Sequence, residues 1–496
     1  MYNRIIEKYE EIRNLNNALA LLNWDQSTYI TKSGVISRAE TIETIARIFH
    51  KKLTSDDFYN QLANITEEKN INQLNQFQQQ EILKIKKEVE RERKIPIELA
   101  SKIAKTTSIA MSLWQEAKAN NDDKEFLPVL EDIFELKKEV CDKIGYEKNP
   151  YDALLDEYDF GLKYDYIKIL FDSLEKEISI ILDKIKNSKQ KINDDFLFKN
   201  YPIKKQEDFG LTIIKLMGID FDYLRQDTSV HPFTARIGLG DVRITTDIKI
   251  NNFKKGFYST IHESGHALYE IGVSKRLKNS PFSNINSLSL HESQSRFYEN
   301  IIGRSKGFWK CFYPRLKNEF NDALKNIGME DFYHAVNKVE INPFRIESDE
   351  LTYNLHIILR TKIENDLINN NIAVNKINDA WNENSKKILG YYPNKKSEGY
   401  LQDIHWSDGL IGYFPTYTLG NIIASQFYNS MQEKTGKIDR INEEKLSEIH
   451  DWFDNNLYIL GTKYSSVDTV KNITGEDIDS KYFINYLKDK FFEIYM

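Results

Sequence analysis

Residues 262–266 read His262-Glu263-Ser264-Gly265-His266. In a helix, side chains at i and i+4 stand on one face, about one turn apart. Two imidazoles so placed can reach a single Zn2+, and a glutamate after the first projects beside them towards a metal-bound water. His makes up only 9 of 496 residues, so a chance match to this pattern arises about 0.01 times per chain. Phe257, Tyr258 and Ile261 precede the motif and Ala267, Leu268 and Ile271 follow it, which predicts a buried helix. Gly265 costs ~1 kcal/mol of helix propensity relative to Ala, a poor choice in a helix made only for packing. Catalysis requires a third protein ligand and one open position. The HExxHxxGxxH pattern is excluded, because Tyr269 and Gly272 stand where it needs Gly and His. A glutamate on a following helix remains. Segment 287–299, SLSLHESQSRFYE, is helical in pattern and offers Glu292 in the apolar frame of Leu288, Leu290, Phe297 and Tyr298.

The elements that must position these groups read as helices. Gly (21) and Pro (10) together are 31 of 496 residues, about half the usual share. Leu170, Leu174, Ile178, Ile181 and Ile185 mark one helical face, as do Ile82, Ile85 and Val89, whose helix is stopped by Pro96. Residues 233–249, FTARIGLGDVRITTDIK, alternate β-branched and polar residues around Gly238 and Gly240, which predicts a hairpin beside the motif helix. The expected fold is mainly α, a large helical unit over residues 1–496 with one small β-sheet or hairpin. Residues 1–205 form its mostly helical N-terminal half, and 206–496 the half carrying the chemistry.

Composition narrows the function class. Lys and Arg number 68 and Asp and Glu 75, a net charge of −7, which argues against a nucleic-acid partner. Hydrophobic residues at 41% and charged residues at 29% fit a soluble globular chain. Two cysteines, Cys141 and Cys311, build no disulfide framework and suit a reducing compartment. The charged start MYNRIIEKYEEIRNLNN is not a signal peptide, and no apolar run is long enough to span a bilayer. A cytoplasmic location without a membrane partner is expected.

Six ordered segments together resemble the carboxypeptidase Taq family of metallocarboxypeptidases. They are His231-Pro232-Phe233 (HPF), Asp241, Arg243 and Thr245 (DxRxT), His262, Glu263 and His266 (HExxH), His291-Glu292-Ser293-Gln294 (HES/GQ), Phe344-Arg345-Ile346-Glu347-Ser348-Asp349 (I/VRxxAD), and Gly399, Gln402, Asp403, His405 and Trp406 (GxxQDxHW). The fifth departs from the pattern at Phe344 and Ser348 but keeps Arg345 and Asp349. Segments 22–26, 151–157 and 412–417 are similar to that family too, so the likeness covers essentially the whole chain. The resemblance implies a saddle-shaped helical peptidase with a deep groove. It also implies one zinc ion per chain with cobalt often accepted, release of single C-terminal residues from peptides with broad preference, and a homodimer.

On that likeness His262, His266 and Glu292 are the expected ligands, and Glu263 the general base that turns general acid. His405 and either Tyr413 or Tyr417 are candidate donors to the oxyanion. Arg345 is the candidate for the substrate carboxylate, because a guanidinium offers two parallel donors and stays charged; an ion pair with Glu347 or Asp349 is its alternative. Arg243, His231 and Gln402 are further substrate-side candidates, although Arg243 could instead form a cross-strand pair with Asp241 or Asp247. His291 is expected to orient Glu292. The hairpin could take substrate as an added strand. The rival readings are a zinc oligopeptidase that cuts internally and a catalytically silent peptide-binding scaffold. An aminopeptidase is disfavoured, since no GxMEN segment occurs.

Overall fold

The computed structural model describes residues 1–285, 287–436 and 438–496. The scarcity of chain breakers is realised as helices from Tyr2–Thr28 to Lys481–Tyr495. Ile82, Ile85 and Val89 are buried on helix Gln76–Lys94, which opens with a capping box between Asn75 and Gln78 and ends just before Pro96. Leu170, Leu174, Ile178 and Ile181 are buried on Tyr164–Lys186.

The predicted hairpin forms from β2 (Thr234–Gly238) and β3 (Asp241–Thr246), paired antiparallel with Ala235 opposite Arg243 and a register shift between Arg236 and Gly238. Gly240 turns the chain at φ +85°, a conformation open to glycine. A third strand, β1 (Leu224–Thr228), pairs parallel to β3, giving the order β1-β3-β2. The sequence gives it little signal: Leu-Arg-Gln-Asp-Thr has one apolar residue, and the pairing partner supplies the hydrophobic face.

Among the described residues, most buried apolar side chains gather in two clusters. A small one joins Ile5, Tyr9 and Ile12 of the first helix to Leu53, Phe58, Leu62, Ile65, Ile82, Ile85 and Val89. The large one runs from Leu99 to Tyr495. The two apolar clusters part near residue 95: helices Phe126–Ile144 and Tyr164–Lys186 pack into the large core together with the helices that carry the motifs.

The motif helix, Phe253–Arg276, is buried around most of its circumference, as a central helix must be. The ligand helix, Leu288–Arg296, lies between it and helix Pro415–Thr435. Glycines on both sides permit this. A Cβ on Gly265 would lie 2.5 Å from the Gln294 carbonyl oxygen and 2.6 Å from Ser295 Cα; one on Gly420 would lie 2.6 Å from Glu292 Cγ. The propensity lost at Gly265 thus allows close backbone approach beside Glu292. Gly265→Ala is expected to destabilise the metal-free protein by about 1–3 kcal/mol despite its better propensity, because backbone cannot yield as a side-chain tip does. Thermal unfolding of wild type and variant checks this; a raised Tm would contradict it.

Candidate metal centre and active site

The motif helix and the ligand helix bring His262, His266 and Glu292 together, with one possible ligand atom from each lying within 4.8 Å of the others. Glu292 Oε2 is 3.4 Å from His266 Nε2 and 3.8 Å from His262 Nε2. Donors on a tetrahedral zinc with bonds of about 2.0–2.1 Å stand about 3.3 Å apart, so two imidazole nitrogens and one carboxylate oxygen at this spacing fit that ion. The histidine side chains keep 19% and 14% of their exposure, so the cluster has access to solvent.

The surroundings prepare these groups for a cation. His262 Nδ1 lies 2.9 Å from Glu299 Oε2, and His266 Nδ1 lies 3.1 Å from the His291 carbonyl oxygen. Each therefore turns Nε2 inward. Burial drives the His266 pKa down to about 3, with His291 adding to the effect, so its ring is neutral. His262 is moved the other way: burial lowers it, but Glu292 and Glu299 outweigh burial and raise it. Burial would raise Glu292, but Arg296 and His262 hold it well below the usual carboxylate range. Arg296 Nε donates to Glu292 Oε1 at 2.6 Å, which leaves Oε2 towards the imidazoles.

Glu263 is buried, and burial raises its pKa above the ordinary value against the pull of His262 and Thr234. The Thr234 hydroxyl, on β2, donates to Glu263 Oε2 at 2.6 Å. The sheet thus touches the candidate base directly, through a residue the sequence did not single out although it follows the HPF segment.

Arg345 pairs with neither Glu347 nor Asp349. Its Nε and Nη2 each lie 2.9 Å from Asp403 Oδ1, and Nη1 donates to the Tyr353 hydroxyl at 3.0 Å. Asp349 instead accepts from the Leu351 and Thr352 amides and the Thr352 hydroxyl, which fixes the turn leading into the helix Tyr353–Ile368. Arg360, fully buried, holds the other Asp403 oxygen with its Nε at 2.7 Å. Two guanidiniums share one carboxylate. His356 and His405 are both pushed down to about 3, first by burial and then by the neighbouring arginines, so they add no positive charge. Arg345 and Arg360 thus set two positive charges against the one negative charge of Asp403, with Glu364, raised by burial to about 7, also interacting with Arg360.

Aromatic rings connect this cluster to the metal centre. The Arg296 guanidinium lies 4.4 Å from the Tyr353 ring and Arg345 lies 5.8 Å from the same ring. His405 Nε2 is 3.1 Å from the Tyr417 hydroxyl, and the Tyr413 and Tyr417 rings are 5.3 Å apart. Burial, then the Glu292 charge, raises Tyr413 to about 12. Tyr417 is raised also, by burial and then by Tyr413. Both phenols remain donors at neutral pH. The buried Glu364, on helix Tyr353–Ile368, accepts from Tyr151 Oη, Trp406 Nε1 and the Gly412 amide, and so anchors the loop that presents His405 and Tyr413.

Several expected residues lie elsewhere or do other work. Gln402 differs from its substrate-side reading: its Oε1 accepts from the Arg345 amide, and its Nε2 donates to the carbonyls of Pro343, Glu398 and Gly399. It holds the backbone that carries Arg345. Arg243 gives Nε and Nη2 to Asp241, two residues away on its own strand rather than across strands, and its guanidinium lies 4.2 Å from the Trp24 ring. His231 is exposed in the turn before β2. His291 does not orient Glu292, because adjacent helical side chains diverge. Its Nε2 lies 3.0 Å from Glu270 Oε1 and its ring stacks on His266, centroids 4.4 Å apart. Asp403 and Glu299, the last residue of segment 287–299, stood within quoted segments without a role; Arg360 stands outside them, and only folding reveals their partners.

A family model described as carboxypeptidase Taq (M32) metallopeptidase matches residues 4–491. The thermostable carboxypeptidase 1 of Pyrococcus furiosus is 35% identical, over 98% of this chain and 98% of that protein. The carboxypeptidase 1 of Bacillus subtilis is also 35% identical, over 98% and 97%. The crystal structure of the M32 carboxypeptidase from Deinococcus radiodurans superposes with a TM-score of 0.95 at 30% identity, covering 100% of this chain and 99% of that one.

Proposed function

The chain belongs to the carboxypeptidase Taq (M32) metallopeptidase family, enzymes that hydrolyse peptide bonds, and on that premise we propose that it releases single residues from peptide C-termini with broad preference by a zinc-dependent, glutamate-assisted attack of water. The observation that supports the exopeptidase reading is the pair of guanidiniums, Arg345 and Arg360, on the single carboxylate of Asp403, one aromatic ring away from Arg296 and Glu292. An enzyme that cuts internally meets no free substrate carboxylate for such an excess of guanidinium to hold.

His262, His266 and Glu292 would hold the cation, which when bound polarises the scissile carbonyl and lowers the pKa of water to about 7. Cobalt would be accepted by the same donors. Glu263, one oxygen fixed by Thr234, takes the water proton and returns it to the leaving amine. A carboxyl whose pKa is raised by burial suits both halves of that task. His405, Tyr413 and Tyr417 stand as neutral donors for the developing oxyanion. Arg345, held by Asp403 and Tyr353, presents its remaining N–H groups to the terminal carboxylate of the substrate. Edge strand β2 aligns the peptide backbone by main-chain hydrogen bonds, which read no side chains and so permit broad preference.

No helix among the described residues is long and apolar enough to cross a membrane. A cytoplasmic homodimer acting on peptides completes the proposal. A short peptide, followed by mass during a time course, is expected to lose C-terminal residues one by one, and a chelator is expected to stop the loss until zinc is restored. Internal fragments appearing first would favour the oligopeptidase; no cleavage at any metal loading would favour the silent scaffold.

A further inference from the structure

The two candidate histidine ligands are held by different partners. His266 Nδ1 faces His291, the backbone carbonyl oxygen at 3.1 Å and the ring Nδ1 at 2.5 Å. His262 Nδ1 meets a carboxylate, Glu299 Oε2, at 2.9 Å. A carboxylate paired with both Arg304 and Arg296 stays ionised, so it accepts and does not donate; the proton of a neutral His262 is placed on Nδ1 and the lone pair on Nε2, facing Glu292.

Glu299 is itself immobilised. Arg304 Nη2 donates to Oε1 at 3.0 Å, and Arg296 Nη1 donates to Oε2 at 3.3 Å. Arg304 is fixed in turn by the Val336 carbonyl at 2.8 Å, by Asn300 Oδ1 at 3.1 Å and by the Tyr258 ring, 3.8 Å from its guanidinium. Glu299 keeps only 9% of its exposure. It lies on a π-helical turn, Phe297–Ile302, that continues the ligand helix, and turns of this kind concentrate at functional sites. Arg296 bonds Glu292 and Glu299 together, so one guanidinium ties a ligand to the partner of another ligand.

We propose that Glu299 is a positioning residue of the metal centre: it fixes the Nδ1–H form and ring orientation of His262, and through the shared Arg296 it sets the affinity of the site for its cation. Carboxylates behind ligating histidines act this way by raising ligand basicity and removing rotational freedom. The inference rests on His262, His266 and Glu292 being the ligands.

Zinc affinity of Glu299→Gln, His262→Ala and wild type, measured by competition with a chromophoric chelator well below each Tm, tests it without reference to turnover. Glu299→Gln keeps the size and an acceptor oxygen but loses the charge, and its affinity is expected to fall about 10- to 100-fold. A purely structural role would lower Tm and leave the affinity of the folded protein unchanged; affinity within twofold of wild type overturns the proposal. Should the glutamine variant not fold, 15N spectra of zinc-loaded wild type with labelled histidines decide the matter. The resonance absent from His262→Ala is expected as a strongly hydrogen-bonded Nδ1–H, and an Nε2–H form there overturns the proposal. Full zinc affinity in His262→Ala would instead remove the ligand reading itself.

Discussion

Glu263→Gln is expected to slow peptide hydrolysis by about 10²–10⁴-fold while zinc content stays at the wild-type level, since that is the usual contribution of a positioned acid–base group. The substitution is nearly isosteric. Glutamine retains an oxygen to accept from the Thr234 hydroxyl, now at 2.6 Å from Glu263 Oε2, and removes only the capacity to take a proton. Glu263 is not among the three residues whose ligand atoms converge, so the cation site stays intact. Purified variant and wild type are to be compared for kcat on a blocked dipeptide and for zinc by atomic emission. Loss of turnover together with loss of zinc would mean that the variant had collapsed the site. Activity within a fewfold of wild type at full zinc would place the base elsewhere and remove the assignment.

Arg345→Ala carries the second large effect. Losing a desolvated charged partner costs about 2–5 kcal/mol, so kcat/KM for peptides with a free C-terminus is expected to fall about 10²-fold or more. The fold should survive, because Asp403 keeps Arg360, whose Nε lies 2.7 Å from its second oxygen. Arg345→Lys is not expected to rescue: an ammonium cannot hold Asp403 and Tyr353 and still present paired donors to a carboxylate. C-terminally amidated peptides supply the control. Wild type should cleave them poorly, and the alanine variant should show little preference between acid and amide. Equal cleavage of both by wild type would sink the exopeptidase reading.

The legible part of the site was the part that is local in the chain. The i, i+4 spacing of His262 and His266 places both rings on one face whatever the helix packs against, and the donor chemistry of imidazole and carboxylate follows from residue type alone. The hairpin 233–249 was readable for the same reason, since alternation and Gly240 act over a few residues. The strand Leu224–Thr228 was not, because its place in the sheet is supplied by β3.

By itself the sequence determined that helices would dominate, that a His-Glu-His cluster would lie on one of them, and which segments would carry the remaining chemistry. Tertiary structure alone decided who stands behind each group. Asp403, 58 positions along the chain, and not Glu347 or Asp349, holds Arg345. Thr234 reaches Glu263 from a strand, and Glu299 reaches His262 from a π-helical turn. These partners depend on how close whole helices come, which glycines such as Gly265 and Gly420 permit. Periodicity fixes a face of each helix but not the neighbour that face will meet, because that neighbour is selected by packing across the entire core.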